Sequence, residues 1–97
     1  MLVEIQVLPR PMGTNEAPYA AVEAAIEIIE RSGLHYEVGA LGTTIEGEPG
    51  DVWPLLREIH EACFRAGAES ASSVIKVFES RGSTAPTISS LTGKFRQ

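Results

Sequence analysis

The sequence predicts an α+β, ferredoxin-like βαββαβ sandwich, a four-stranded antiparallel sheet with two helices on one face, and three observations carry that prediction. Extended patterns with strand periodicity occur at 2 to 8, 35 to 39, 43 to 48 and 70 to 79. Between the first and second, and again between the third and fourth, apolar residues recur at helical spacing. The helix ends Arg31, Ser32, Gly33 and Arg65, Ala66, Gly67 recur 34 residues apart, a weak repeat that agrees with two successive split βαβ halves. Right-handed crossovers then give the sheet its order and leave one of its faces without helices.

Each element has a local cause. The first strand alternates Val3, Ile5 and Val7 with Leu2, Glu4, Gln6 and Leu8, and is expected to stop at Pro9 and Pro11. A loop with three prolines, Gly13, Thr14 and Asn15 follows, and Tyr19, Val22, Ala25, Ile26 and Ile29 then mark a helix that ends where Gly33 can take the left-handed conformation. The strand from His35 returns through a tight Gly39 to Gly42 connection into Thr43, Thr44, Ile45 and Glu46. Asp51 is placed to cap the second helix, with Pro54 in its first turn and Val52, Leu55, Leu56, Ile59, Ala62 and Cys63 as its apolar stripe. The core is expected over about 2 to 80 of a single domain spanning 1 to 97, with a tail from 81 in which Ile88, Leu91 and Phe95 can dock on a neighbour.

Composition excludes several classes of function. A net charge of −5, with acids spread along the chain, lacks the basic face that a nucleic-acid duplex needs. No stretch is long and apolar enough to span a bilayer, and a chain with the lone cysteine Cys63 forms no internal disulfide; the expected location is cytoplasmic. His60 and Cys63 lie one helical turn apart but have no further ligand nearby in sequence, so a packed Cys63 is expected, with no metal and no cofactor. Arg10 follows strand one, where a phosphate-binding arginine would stand, yet it lies between two prolines without a glycine-rich cradle. With no phosphate loop, nucleophile elbow or paired carboxylates at a recognisable spacing, no catalytic residue is assigned.

The open sheet face carries the first clue to function. Val3, Ile5, Val7, Ile45, Ile75 and Val77 are expected to point at the helices, leaving Glu4, Gln6, Leu8, Thr44, Glu46, Val74, Lys76 and Phe78 on the other side. A mixed face of this kind suits packing against a second copy, with Lys76 neutralising Glu4 or Glu46. A dimer or tetramer is therefore expected.

Several segments taken together resemble the thiamine-binding YkoF-like family: Glu4 to Pro9, Ser32 to Glu37, Gly42 to Gly47, and Ile75 to Val77. The resemblance runs from residue 2 to about 81. It implies ferredoxin-like domains assembled as dimers or tetramers, some of which bind thiamine or its hydroxymethylpyrimidine half. Glu46, Thr43 and Thr44 offer the acceptors and hydroxyls that an aminopyrimidine needs, with Glu4 and Gln6 on the same face as Glu46. Tyr19, Tyr36 or Trp53 can set a ring face against a thiazolium cation. Two functional readings follow, a non-catalytic binder of thiamine or a related pyrimidine, and an assembly module whose open face exists only for oligomerisation. Alternation along Thr43 to Glu46 also separates two locations, since Thr43 leans toward the helices while Thr44 and Glu46 face the open side.

Overall fold

In a computed structural model, residues 1–82 and 85–96 are described. The elements run β1 (Leu2–Arg10), α1 (Ala20–Arg31), β2 (His35–Val38), β3 (Thr43–Glu46), α2 (Pro49–Arg65), β4 (Ser70–Phe78), α3 (Ile88–Thr92) and a 3₁₀ turn (Gly93–Phe95). The strands form one antiparallel sheet in the order β2-β3-β1-β4, an α+β arrangement consistent with the ferredoxin-like fold. The third helix is an addition to the expected two.

The register fixes which residues share a face. Val3 stands between Ile45 and Val77, and Ile5 between Thr43 and Ile75, so these six look toward the helices. Glu4 stands between Thr44 and Lys76 on the other face, as the sequence pattern requires. Val3, Ile5 and Ile45 join Ala25 and Ile29 of α1 and Val52, Leu55, Leu56, Ile59 and Cys63 of α2 in the core. Burying each larger aliphatic side chain contributes about 1.5–3 kcal/mol. Ile75 and Val77 share the helix side but stay outside that core and well exposed, because β4 lies at the sheet edge, where α2 covers it only in part.

Several boundaries differ from the sequence expectation for local reasons. β1 continues through Pro9 to Arg10 rather than stopping at the proline. Past Ile5 it has no partner on the β3 side, so the missing N–H of Pro9 falls where β1 is an edge strand. α2 begins at Pro49, with Glu48 as its N-cap, and Asp51 lies within the first turn instead of capping it. Pro54 accordingly sits inside the helix. There it removes the hydrogen bond that the Gly50 carbonyl would accept, at a point where the chain is exposed. α1 ends as expected at Gly33, whose φ is 76°, with Ser32 Oγ donating to the Ile29 carbonyl at 2.6 Å and accepting from the Leu34 N–H at 3.1 Å.

The tail changes the open face. Ile88 is buried and its N–H donates to Glu46 Oε2 at 3.3 Å, so this part of the tail docks on the chain's own sheet rather than awaiting a neighbour. Thr87 and Ser90 form a reciprocal capping box at the start of α3. Leu91 and Phe95 remain exposed, and the tail positions 83, 84 and 97 lie outside the described residues. The β2–β3 half of the face is thus strapped, while the β1–β4 half, with Leu8, Val74 and Phe78, stays open.

Candidate functional site

The two glycines that flank β3 have packing roles. A Cβ on Gly42 would lie 3.2 Å from both Glu4 Cγ and the Ile5 carbonyl oxygen, so glycine lets the β2–β3 connection close onto β1. A Cβ on Gly47 would meet Leu34 and Val52 side-chain atoms at 3.2 Å. The Gly39 N–H donates to the Gly42 carbonyl at 2.8 Å and tightens the same turn.

Beside that turn lies a cavity of about 280 Å³ between the end of β1, helix α1 and the β2–β3 connection. Ile5, Val22, Ala25, Ile26, Ile29 and Ile59 line its inner wall, and Gln6, Val7 and Leu8 line its β1 side. Val38, Gly39, Ala40, Leu41, Gly42 and Thr43 close another side, and Met12 and Tyr19 reach it from the first loop. That loop is held by the Ala21 N–H donating to the Met12 carbonyl at 2.8 Å and by the Ala17 N–H donating to Thr14 Oγ1 at 3.0 Å. Thr43 is only 5% exposed and is the buried polar residue of the wall. Its hydroxyl can both donate and accept. An apolar cleft with a few polar groups is the ordinary form of a small-molecule site.

The five residues singled out in the sequence separate into three places. Thr43 and Gln6 line the cavity. Glu4 and Thr44 border a shallow depression on the open face with Leu2, Lys76 and Phe78, where Lys76 Nζ approaches Glu4 Oε1 at 3.7 Å. Glu46 lies under the tail, with His35 Nε2 at 3.5 Å from Oε1 and the Ile88 N–H on Oε2. Arg96 pairs with Glu37 beside it and closes the strap over β2. The carboxylate most suited to ligand recognition in the sequence is thus occupied by the chain itself.

Met12, Val38 and Leu41 are cavity residues that the sequence reading did not single out. Leu41, a large apolar residue in a turn otherwise made of glycine and alanine, was the available signal. Tyr19 lines the cavity, whereas Trp53 stands exposed on α2 away from it. Cys63 is fully buried and contacts the Ile59 carbonyl, and burial pushes its thiol pKa up. His60 meets Ser73 of β4, Nδ1 to Oγ 2.6 Å, instead of joining Cys63. Among the described residues no group of three or more His, Cys, Asp or Glu side chains gathers as a metal site. No described helix is long and apolar enough to cross a membrane.

The model of the thiamine-binding protein family matches residues 3–95, covering every wall of the cavity. The chain belongs to the thiamine-binding protein family. A UPF0045 protein of Clostridium perfringens is 32% identical over 94 residues, 97% of this chain and 95% of the relative. Among solved structures, a domain of unknown function (DUF77) from Bacillus cereus superposes with a TM-score of 0.84 at 36% identity, covering 98% of this chain and 88% of that one. A candidate thiamine biosynthesis/salvage protein from Thermotoga maritima superposes with a TM-score of 0.82 at 26% identity, covering 98% and 97%. Family membership and the Thermotoga maritima neighbour point to a small-molecule-binding role.

Proposed function

We propose that this protein binds a thiamine-related heteroaromatic ring without chemically transforming it, in the cavity under Thr43. The observation that carries this reading is an apolar, part-enclosed cavity with a buried threonine, Thr43, in its wall. Ring faces fit between the α1 side chains and the turn, while Thr43 and the peptide groups of Gly39 to Gly42 can meet ring nitrogens and an exocyclic amine. Membership of a thiamine-binding family supports the ligand class. On this reading the chain acts as a single cytoplasmic domain, a carrier, buffer or sensor. Titration calorimetry with thiamine, hydroxymethylpyrimidine and thiamine phosphate tests it, with saturable binding of at least one expected. A bound ligand at a hundredfold excess over its dissociation constant stabilises the fold by about 2.7 kcal/mol. Should none bind or raise the melting temperature at millimolar concentration, the proposal is lost.

A second reading, compatible with the first, rests on β4. Its outer edge is unpaired among the described residues, and Val74, Ile75, Val77 and Phe78 are each 40% exposed or more. We propose that a second copy covers this strand and the open β1–β4 half of the sheet, giving a dimer or tetramer. Val74→Glu, which places a carboxylate in that apolar patch, should shift the mass measured by light scattering to that of one chain. An unchanged mass places the contact elsewhere.

A further inference from the structure

Resting on the binding function proposed above, we infer that the Gly39 to Gly42 turn is a latch: once the cavity is occupied, Leu41 folds across the mouth toward Met12 and Tyr19 and retains the ligand. Four large apolar residues that are 46% exposed or more, Met12, Tyr19, Val38 and Leu41, surround this one mouth. Apolar side chains gathered in water about a part-enclosed cavity gain when they are brought together over it. Leu41, 80% exposed, has the most to gain. The two lips of the mouth differ in freedom. On the first-loop side, the Ala21 N–H donates to the Met12 carbonyl at 2.8 Å, the Thr14 N–H to the Ala17 carbonyl at 2.9 Å, and the Ala17 N–H to Thr14 Oγ1 at 3.0 Å. A Cβ on Gly13 would overlap the Ala17 and Pro18 backbone, so this loop is folded tightly on itself. On the other side, Val38 pairs with Thr43 at the end of the β2–β3 ladder, and Gly42 rests against Glu4 and Ile5 of β1. Between those anchors the turn is spanned by the bond from the Gly39 N–H to the Gly42 carbonyl, and Ala40 and Leu41 form no backbone hydrogen bond among the described residues. The first loop is therefore the fixed lip and the turn the moving one.

Volume gives the latch something to hold. The cavity's 280 Å³ falls just under the roughly 300 Å³ at which drug-sized ligand pockets begin, so a two-ring ligand seats one ring inside and leaves the other at the mouth. That outer ring supplies the surface on which Leu41 closes from one side while Met12 and Tyr19 support it from the other. An empty cavity offers Leu41 no such surface, and the turn stays open.

The test uses the full chain, with thiamine as the probe. Leu41→Ser, at an exposed position outside the core, is expected to speed thiamine dissociation about tenfold in surface plasmon resonance, the worth of burying one leucine side chain, with the association rate preserved. Closure itself is read with Leu41→Cys. Cys63 is sealed in the core, so the introduced thiol is the one that reacts fast, and saturating thiamine is expected to slow its labelling about tenfold or more. Dissociation that Leu41→Ser leaves unchanged, or labelling at position 41 that bound thiamine does not slow, overturns the latch and leaves the binding function standing. Binding of hydroxymethylpyrimidine without binding of thiamine does the same, since the latch needs an outer ring to hold. A lower mass in light scattering for Leu41→Ser, with dissociation unaltered, gives the rim to a partner chain and likewise overturns the latch. Failure of thiamine, hydroxymethylpyrimidine and thiamine phosphate alike overturns both proposals.

Discussion

The two sides of β3 are built for different tasks. On the helix side, Ile45 is completely buried in the core and Thr43, two residues earlier, borders the cavity. On the opposite side, Glu46 is held by His35 and by the tail, and Thr44 borders a shallow depression beside the Lys76–Glu4 pair. One face joins stability to a part-enclosed apolar space, and the other joins the tail to the sheet through polar contacts. The carboxylates that attract notice in a sequence are here those the fold uses for itself, while the cavity is marked by one threonine among aliphatic neighbours. The lesson is that a carboxylate's availability depends on what the remainder of the chain brings to it.

The comparison can be broken most forcefully at Ile45. Ile45→Ala leaves a void among α1, α2 and β1 and is expected to cost about 2–5 kcal/mol, measured by urea unfolding. A loss below 1 kcal/mol would show that this side of the strand is not where the fold is secured. Thr43→Val sharpens the comparison by removing only the hydroxyl from the cavity wall. It should weaken the tightest-binding pyrimidine probe about tenfold, the worth of one good hydrogen bond, with the denaturation midpoint preserved. Equal affinity in the variant would move the ligand away from Thr43. The smallest effect is expected for Glu46→Ala, which frees His35 and the Ile88 N–H. Global stability should fall by about 0.5–1.5 kcal/mol, and amide exchange should accelerate over 88–92 with affinity for the probe unchanged. If Glu46→Ala instead abolishes binding, the functional face of β3 is the open one.

Much of the sheet was legible because its alternation is strict. The sides taken by Val3, Ile5, Ile45, Glu4 and Lys76 follow from period two, and the observed register places them accordingly. Gly33 likewise announced the end of α1. Pro9 misled, since its effect depends on whether β1 has a neighbour on that side, a property of strand pairing rather than of the residue. Asp51 and Pro54 misled because Pro49 starts α2 early, moving both a step deeper into the helix. The site was less legible than the fold. Thr43 could be marked, but the cavity draws on Met12, Tyr19, Val22, Val38 and Leu41, which are separated in sequence and meet only when the first loop folds beside the β2–β3 turn. Nor does any local pattern reveal that residue 88 returns to residue 46; such a contact is long in sequence and carried by one backbone N–H.

Cys63 gives this chain a built-in clock. It is the sole cysteine, sealed from solvent between α2 and the rest of the core, with burial holding its thiol in the unreactive protonated form. A thiol reagent can therefore modify it only when the helix layer opens, and the rate of labelling reports how often that happens. Because the cavity wall shares Ile5, Ala25, Ile29 and Ile59 with that core, any occupant that holds the layer shut slows the clock, so a ligand can be recognised without a spectroscopic signal of its own.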